Sequence, residues 1–64
     1  MQDWAGFTVH DPKTHMNVGY TYRHRSSAVR RAQRYPVGQV ATVQQWDSAC
    51  EPVKQWRIEG RAET

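Results

Sequence analysis

Hydrophobic and polar residues alternate in two segments near the beginning of the chain, residues 4–10 and residues 18–22. A period of two is typical of β-strands, and the run Asp11-Pro12-Lys13-Thr14 between the segments is rich in turn-forming residues. We therefore predict a β-hairpin. The predicted pairs, all on one apolar face, are Val9 with Val18, Phe7 with Tyr20, and Ala5 with Tyr22. The opposite face carries Trp4, Thr8, His10, Asn17, Thr21 and Arg23.

Residues 40–46 and 53–59 show the same alternation on either side of a turn-rich loop, residues 47–52, and predict a second hairpin. Its predicted pairs are Trp46 with Val53, Val43 with Trp56, and Ala41 with Ile58. The core face is then Ala41, Val43, Trp56 and Ile58. The other face carries Thr42, Gln44, Trp46, Gln55 and Arg57.

The segment between the hairpins has helical periodicity over residues 28–35. Ser26 or Ser27 is suited to cap the helix, and Pro36 is expected to end it. The apolar side is predicted to hold Ala28, Val29, Ala32 and Tyr35. The opposite side holds Arg30, Arg31 and Arg34.

These elements predict an α+β fold with the order ββαββ, in two layers. One short helix packs on one face of an antiparallel sheet built from the two hairpins, and the other sheet face stays open. A chain of 64 residues forms one small domain, so we treat residues 1–64 as a unit and expect residues 61–64 to be a frayed tail. Hydrophobic residues make up only 38% of the chain, so its seven Trp, Tyr and Phe side chains must supply much of the buried area.

The charged residues are distributed unevenly along the chain. The net charge is +3, yet residues 12–46 contain no acidic residue. That stretch holds Lys13, Arg23, Arg25, Arg30, Arg31 and Arg34. Guanidinium groups suit the geometry of phosphates, so the first hypothesis is a basic module that binds nucleic acid, DNA or RNA, through Arg23, Arg25, Arg30, Arg31 and Arg34. The alternative is an ordinary solvated face whose arginines pair with acids such as Glu51 or Glu59.

The open sheet face supports a second hypothesis. Gln44, Trp46, Gln55 and Arg57 combine an aromatic surface with hydrogen-bonding groups. Such a face can stack unpaired bases, or it can bind a host protein complex with Trp46 and Arg57 as anchors. A third reading is that Trp4 or Trp46 folds over the sheet and completes the core. A homodimer that buries two such faces or two edge strands is also compatible with the pattern.

The sequence offers little for catalysis or cofactors. One cysteine, Cys50, excludes an internal disulfide and CxxC motifs, and it suits a reducing compartment. His10, His15 and His24 lack the spacing of a metal site. We therefore expect a protein that is not an enzyme and has no cofactor. The first residues lack a signal-peptide pattern, which favours a cytoplasmic location.

The element order and the break at Tyr35-Pro36-Val37-Gly38 are similar in size and layout to small phage-encoded inhibitors of host enzymes, including inhibitors of RNA polymerase and of CRISPR complexes. That resemblance implies the protein-binding function of the second hypothesis. The Asp11-Pro12-Lys13-Thr14 turn, followed by a strand and an arginine-rich helix, also resembles the arm-type DNA-binding domains of phage integrases, which have three strands before the helix where this chain has two. No motif assigns the chain to either family.

Overall fold

A computed structural model describes residues 6–63 of the chain. The elements are β1 (Gly6–His10), β2 (Asn17–Tyr22), α1 (Arg25–Ala32), β3 (Val40–Trp46) and β4 (Pro52–Glu59). The four strands form one sheet in the order β2-β1-β3-β4, and every neighbouring pair is antiparallel. The predicted α+β fold with one short helix is confirmed. The sequence did not predict that β1 and β3, one strand from each hairpin, are the two central strands.

The helix and the central strands form the core. Among residues 6–63, five hydrophobic residues are completely buried: Val9, Ala28, Ala32, Ala41 and Val43. Ala28 and Ala32 lie one helical turn apart, and their small side chains let the helix lie close to the two central valines. Partly buried residues surround this centre: Phe7, Val18, Tyr22, Val29, Tyr35, Trp56 and Ile58.

The second hairpin follows the predicted register over most of its length. Ala41 pairs with Ile58 and Val43 pairs with Trp56, as predicted. At the loop end, Trp46 pairs with Pro52, so the predicted pairing of Trp46 with Val53 is wrong. The register shifts after Gln45, because the tight loop that follows Trp46 places Pro52 opposite it.

The first hairpin departs from the predicted register. Phe7 pairs with Tyr22, so its predicted pairing with Tyr20 is wrong, as is the pairing of Tyr22 with Ala5, which lies outside the described residues. Thr8 pairs with Thr21 and His10 pairs with Asn17. One residue of β1 lies between these pairs, whereas three residues of β2 do. Gly19 permits this bulge with a φ of 118°, and its N–H donates to Oδ1 of Asn17 at 2.8 Å. Because the bulge adds two residues, the paired residues Asn17, Thr21 and Tyr22 keep their predicted faces, whereas Tyr20, within the bulge, is 69% exposed and does not pack on the core as predicted.

The helix begins and ends three residues earlier than predicted. It spans Arg25–Ala32 with His24 at the N-cap, and no side chain caps it, so neither Ser26 nor Ser27 has the predicted role. Both serines lie in the first turn. The backbone tightens after Ala32, where the N–H groups of Arg34 and Tyr35 donate to carbonyls three residues earlier. Burial of Ala28 and Ala32 sets the position of the helix more strongly than the serine caps do.

The end of the chain is tied to the segment that follows the helix. Ala62 donates its N–H to the carbonyl of Tyr35, and its own carbonyl accepts from Val37. Gly60 and Arg61 donate to the carbonyls of Gln39 and Gln33. The expectation of a frayed tail is therefore wrong for residues 61 and 62. Among residues 6–63, no helix is long and apolar enough to cross a membrane.

Candidate nucleic-acid interface

The five candidate arginines lie in one stretch of the sequence, from the end of β2 to the turn after α1. Arg23 is in the bend before α1, Arg25 is the first residue of α1, and Arg30 is in its last turn. Arg34 follows the helix. These four residues are exposed, whereas Arg31 is half-buried. The structure therefore leaves four guanidinium groups available on and beside the helix.

Arg25 packs on an aromatic ring. Its guanidinium carbon lies 5.2 Å from the centroid of the Trp56 ring on β4, and Nζ of Lys54 lies 5.9 Å from the same centroid. Both positions are within the range of cation–π attraction. Trp56 also contacts Phe7, with ring centroids 6.2 Å apart. A guanidinium over a ring keeps N–H donors at its edge, so Arg25 is held in place and can still meet an anion.

Arg31 belongs to a different cluster, around Tyr35 and Asp11. Its guanidinium carbon lies 5.2 Å from the Tyr35 ring centroid, and the Tyr35 hydroxyl donates to Oδ2 of Asp11 at 3.3 Å. Oδ1 of Asp11 accepts the backbone N–H groups of Lys13 at 2.7 Å and Thr14 at 3.0 Å. Arg31 therefore holds the end of the helix against the turn between β1 and β2. This makes it the least available of the five arginines for binding a partner.

The same cluster changes two pKa values. Hydrogen bonds from the Thr14 and Lys13 backbone N–H groups lower the pKa of Asp11, because they stabilise its carboxylate. Burial raises the pKa of Tyr35, and the negative charge of Asp11 raises it further. Asp11 is thus a carboxylate that closes a turn.

The electrostatics of the helix differ between its two ends. Arg30 and Arg31 lie in the last turn, where the helix dipole favours positive charge. The first turn contains Arg25 and no acidic residue, so the dipole opposes that charge. Arg34 lies beyond the end of the helix, in the tighter turn that follows it, so the prediction that it shares a helical face with Arg30 is wrong. An anion near Arg25 would meet both a guanidinium and the positive end of the helix.

The open sheet face lies on the side of the sheet opposite the helix. Thr42 pairs with Arg57 and Gln44 pairs with Gln55, so these side chains share this face with Trp46. The four residues of the second hypothesis, Gln44, Trp46, Gln55 and Arg57, are thus on one surface. Trp4, also predicted for this face, lies outside the described residues.

Trp46 is fixed across the central strands. Its Nε1–H donates to Oγ1 of Thr8 at 2.8 Å, and Gly6, its partner in the β1–β3 ladder, has no side chain to displace the indole. Oγ1 of Thr8 lies 2.9 Å from Nε2 of His10, and Nδ1 of His10 lies 3.2 Å from the carbonyl of His15. All the donors find acceptors when His10 carries its proton on Nδ1. The indole is half-buried, so part of it remains exposed.

A groove of about 480 Å³ opens beside this indole. Its lining residues are Gly6, Thr8, Asn17, Thr21, Trp46, Asp47, Ser48 and Cys50. Oδ1 of Asp47 accepts the N–H groups of Ala49 and Glu51, both at 2.9 Å, so this carboxylate also closes a turn. Cys50 is exposed and adopts a φ of 62° in the same turn.

The structure brings together no metal-binding group among the residues it describes. Within residues 6–63, no cluster of three or more His, Cys, Asp or Glu side chains could hold a metal ion. His10 and His15 do approach each other, as their positions around the first turn suggest, through the His15 backbone carbonyl.

Two contacts of these surfaces escaped sequence reasoning. Arg25 and Trp56 are far apart in the chain, and only the crossing of the helix over the sheet brings them together. The bond from Trp46 to Thr8 depends on the pairing of β1 with β3. The lone glycine of β1, Gly6, was the available signal that a large side chain lies over that strand. No protein-family model, curated protein or solved structure matches this chain.

Proposed function

We propose that this protein is a small, non-enzymatic module that binds nucleic acid through phosphate contacts from Arg23, Arg25, Arg30 and Arg34. The observation that supports this function is the exposure of these four arginines on and beside a helix that contains no acidic residue. A phosphate backbone would offset their mutual repulsion and bind each guanidinium in a suitable geometry. Arg31, held on Tyr35, contributes less to binding and more to the fold.

The hydrogen bonds of two carboxylates support the same function. Asp11 and Asp47 both accept backbone N–H groups in turns. Arg25 and Arg31 lie on aromatic rings, contrary to the alternative in which arginines of this surface pair with acids of the chain ends. Aromatic rings are thus the described partners of these two guanidinium groups.

The test is a titration of a labelled 20-base-pair duplex and a labelled 20-nucleotide single strand, followed by fluorescence anisotropy at 50 mM salt. The variant Arg30→Gln/Arg34→Gln should lower affinity for both about tenfold, since two phosphate contacts are lost. The matched control, Lys13→Gln/Arg61→Gln, removes the same charge at exposed positions outside the helix and outside the candidate set. Equal affinities of the two folded double variants would contradict the assignment of the helix surface.

A second candidate function is binding to a host protein complex through the open sheet face. The observation in its favour is that Gln44, Trp46, Gln55 and Arg57 share that face, where an aromatic residue and an arginine can act as anchors. A Trp46→Ala variant that loses a protein partner and keeps its affinity for nucleic acid would favour this function.

A further inference from the structure

We infer that the groove beside Trp46 is a second site, on the face opposite the helix, that takes an unpaired base of single-stranded nucleic acid. The inference rests on the proposed function and adds to it the kind of nucleic acid that is bound. It assigns different roles to the two faces: the helix surface contacts phosphates of any strand, and the groove requires a base that is not paired.

The indole of Trp46 has a fixed position. A stacking surface is most effective when its orientation is set before the ligand arrives. The bond from Nε1 of Trp46 to Oγ1 of Thr8, at 2.8 Å, satisfies the polar atom of the ring and holds it over Gly6. Thr8 is only 6% exposed and is itself linked to His10, so the anchor is rigid. What remains exposed of the indole is aromatic surface that lines the groove.

The lining of the groove combines aromatic and polar groups. A volume of about 480 Å³ is in the range of sites for small organic groups. Around the indole, the groove carries the hydroxyls of Thr21 and Ser48 and the amide of Asn17. A flat, apolar surface ringed by a few donors and acceptors suits a heteroaromatic base, which has a π face and polar edges.

Positive charge adjoins the groove at β2. Arg23 lies two residues after Thr21, at the end of the strand that lines the groove. Asp47 is the acidic residue of the lining, and two backbone N–H groups already stabilise its carboxylate. A phosphate next to a bound base can therefore meet Arg23, and this charge favours a strand with an anionic backbone over an uncharged aromatic ligand.

The test measures binding of the full chain to (dT)10, (rU)10 and a 10-base-pair duplex by anisotropy. Trp46→Ala should lower affinity for single strands about tenfold or more, and affinity for the duplex less than twofold. Trp46→Phe should retain most of the single-strand affinity, because it keeps an aromatic ring. The two single strands distinguish DNA from RNA as the source of the base.

A second pair of variants tests the anchor and does not remove the indole. Thr8→Val keeps the volume and removes the acceptor of Nε1, so it should lower single-strand affinity several-fold, whereas Thr8→Ser keeps the hydroxyl and should restore it. Amide spectra of the 15N-labelled chain with (dT)10 provide a direct location. The Trp46 indole N–H, Gly6, Thr21 and Ser48 should shift most.

The outcomes separate the inference from the proposed function. A folded Trp46→Ala variant with unchanged single-strand affinity would overturn the groove as a base site, even if Arg30→Gln/Arg34→Gln weakens binding. Loss through Trp46 with no effect of the arginine pair would overturn the helix surface and support the groove. If the native chain binds none of the three probes at 50 mM salt, both proposals fail and the groove is left to a protein partner.

Discussion

The Tyr35 hydroxyl donates a hydrogen bond to Oδ2 of Asp11 at 3.3 Å and so joins the turn after the helix to the turn between β1 and β2. With Arg31 over the Tyr35 ring, this contact closes one end of the two-layer fold. It also connects the stability of the protein to pH at both extremes, because one partner is an acid with a lowered pKa and the other has a raised pKa.

At acidic pH, Asp11 should contribute to unfolding. Its pKa is lowered in the folded state, so its stabilising contribution is present above the ordinary carboxyl pKa of about 4 and is lost as pH falls through the folded value. Asp11→Asn keeps an oxygen for the backbone N–H groups and cannot titrate. We expect the thermal midpoint of the native chain to fall more steeply than that of the variant between about pH 5 and pH 2. Parallel curves in thermal circular dichroism would contradict this role.

At alkaline pH, deprotonation of Tyr35 should lower the stability of the folded protein. Its pKa is raised in the folded state, so its contribution is present below the ordinary tyrosine pKa of about 10 and is lost as pH rises through the folded value. Tyr35→Phe removes the titrating hydroxyl, so its thermal midpoint should change less above about pH 10 than that of the native chain. The comparison needs only unfolding curves of the two proteins from pH 8 to pH 11.

Gly60 should tolerate a side chain less well than Gly38. A Cβ at this position would overlap the backbone carbonyl oxygens of Tyr35 and Pro36, which cannot rotate away. We expect Gly60→Ala to lower the free energy of unfolding by about 3 kcal/mol, the upper range for overpacking. Gly38→Ala is the control: nothing lies within 4 Å of its Cβ, and its φ of 97° costs about 1–2 kcal/mol through strain alone. Urea denaturation that ranks the two variants in the reverse order would show that the tail is not held against Tyr35.

Val43 and Val53 offer a matched test of the core. Val43 is completely buried on β3, and Val53 is 56% exposed on β4. Val43→Ala should cost about 2 kcal/mol, because it removes two buried methyl groups and leaves a cavity, whereas Val53→Ala should change stability by less than about 0.5 kcal/mol. Similar costs for the two variants in urea denaturation would contradict the position of the core between the helix and the central strands.

The salt dependence of binding should report the number of phosphate contacts. For a single strand, each contact contributes about 0.7 to the slope of log affinity against log salt concentration. The Arg30→Gln/Arg34→Gln variant should therefore have a slope smaller by about 1.4, while Arg31→Gln should change it by less than about 0.7. The measurement is a set of anisotropy titrations between 50 and 200 mM salt. A larger slope change for Arg31 than for the exposed pair would reverse their assigned roles.

The fold follows from the sequence wherever local pattern and packing agree. The second hairpin keeps its predicted register from Ala41 to Gln45, because alternation and a buried valine on β3 both favour one pairing. In the first hairpin, Gly19 permits a bulge that alternation cannot reveal, since an insertion of two residues leaves the faces of the paired residues unchanged.

The residues of the candidate surfaces could be predicted from the sequence, but the contacts that they make could not. The acid-free stretch identified the arginines, but not which of them pack on aromatic rings. For Arg25 that outcome depends on Trp56, which the helix meets only where it packs on the sheet, and for Arg31 it depends on Tyr35, four residues further along the chain. Likewise, the alternation placed Trp46 on the open face, and the contact with Thr8 required the order of the strands.

The pairing of β1 with β3 also determines how the protein loses its structure. Val9 comes from one hairpin and Val43 from the other, and the two pair across the centre of the sheet. Each hairpin alone would expose its half of the buried residues to water, and isolated hairpins are marginal even in favourable cases. Opening at this seam therefore exposes both halves together, which makes folding cooperative over the strands and the helix and leaves no smaller unit that retains the core.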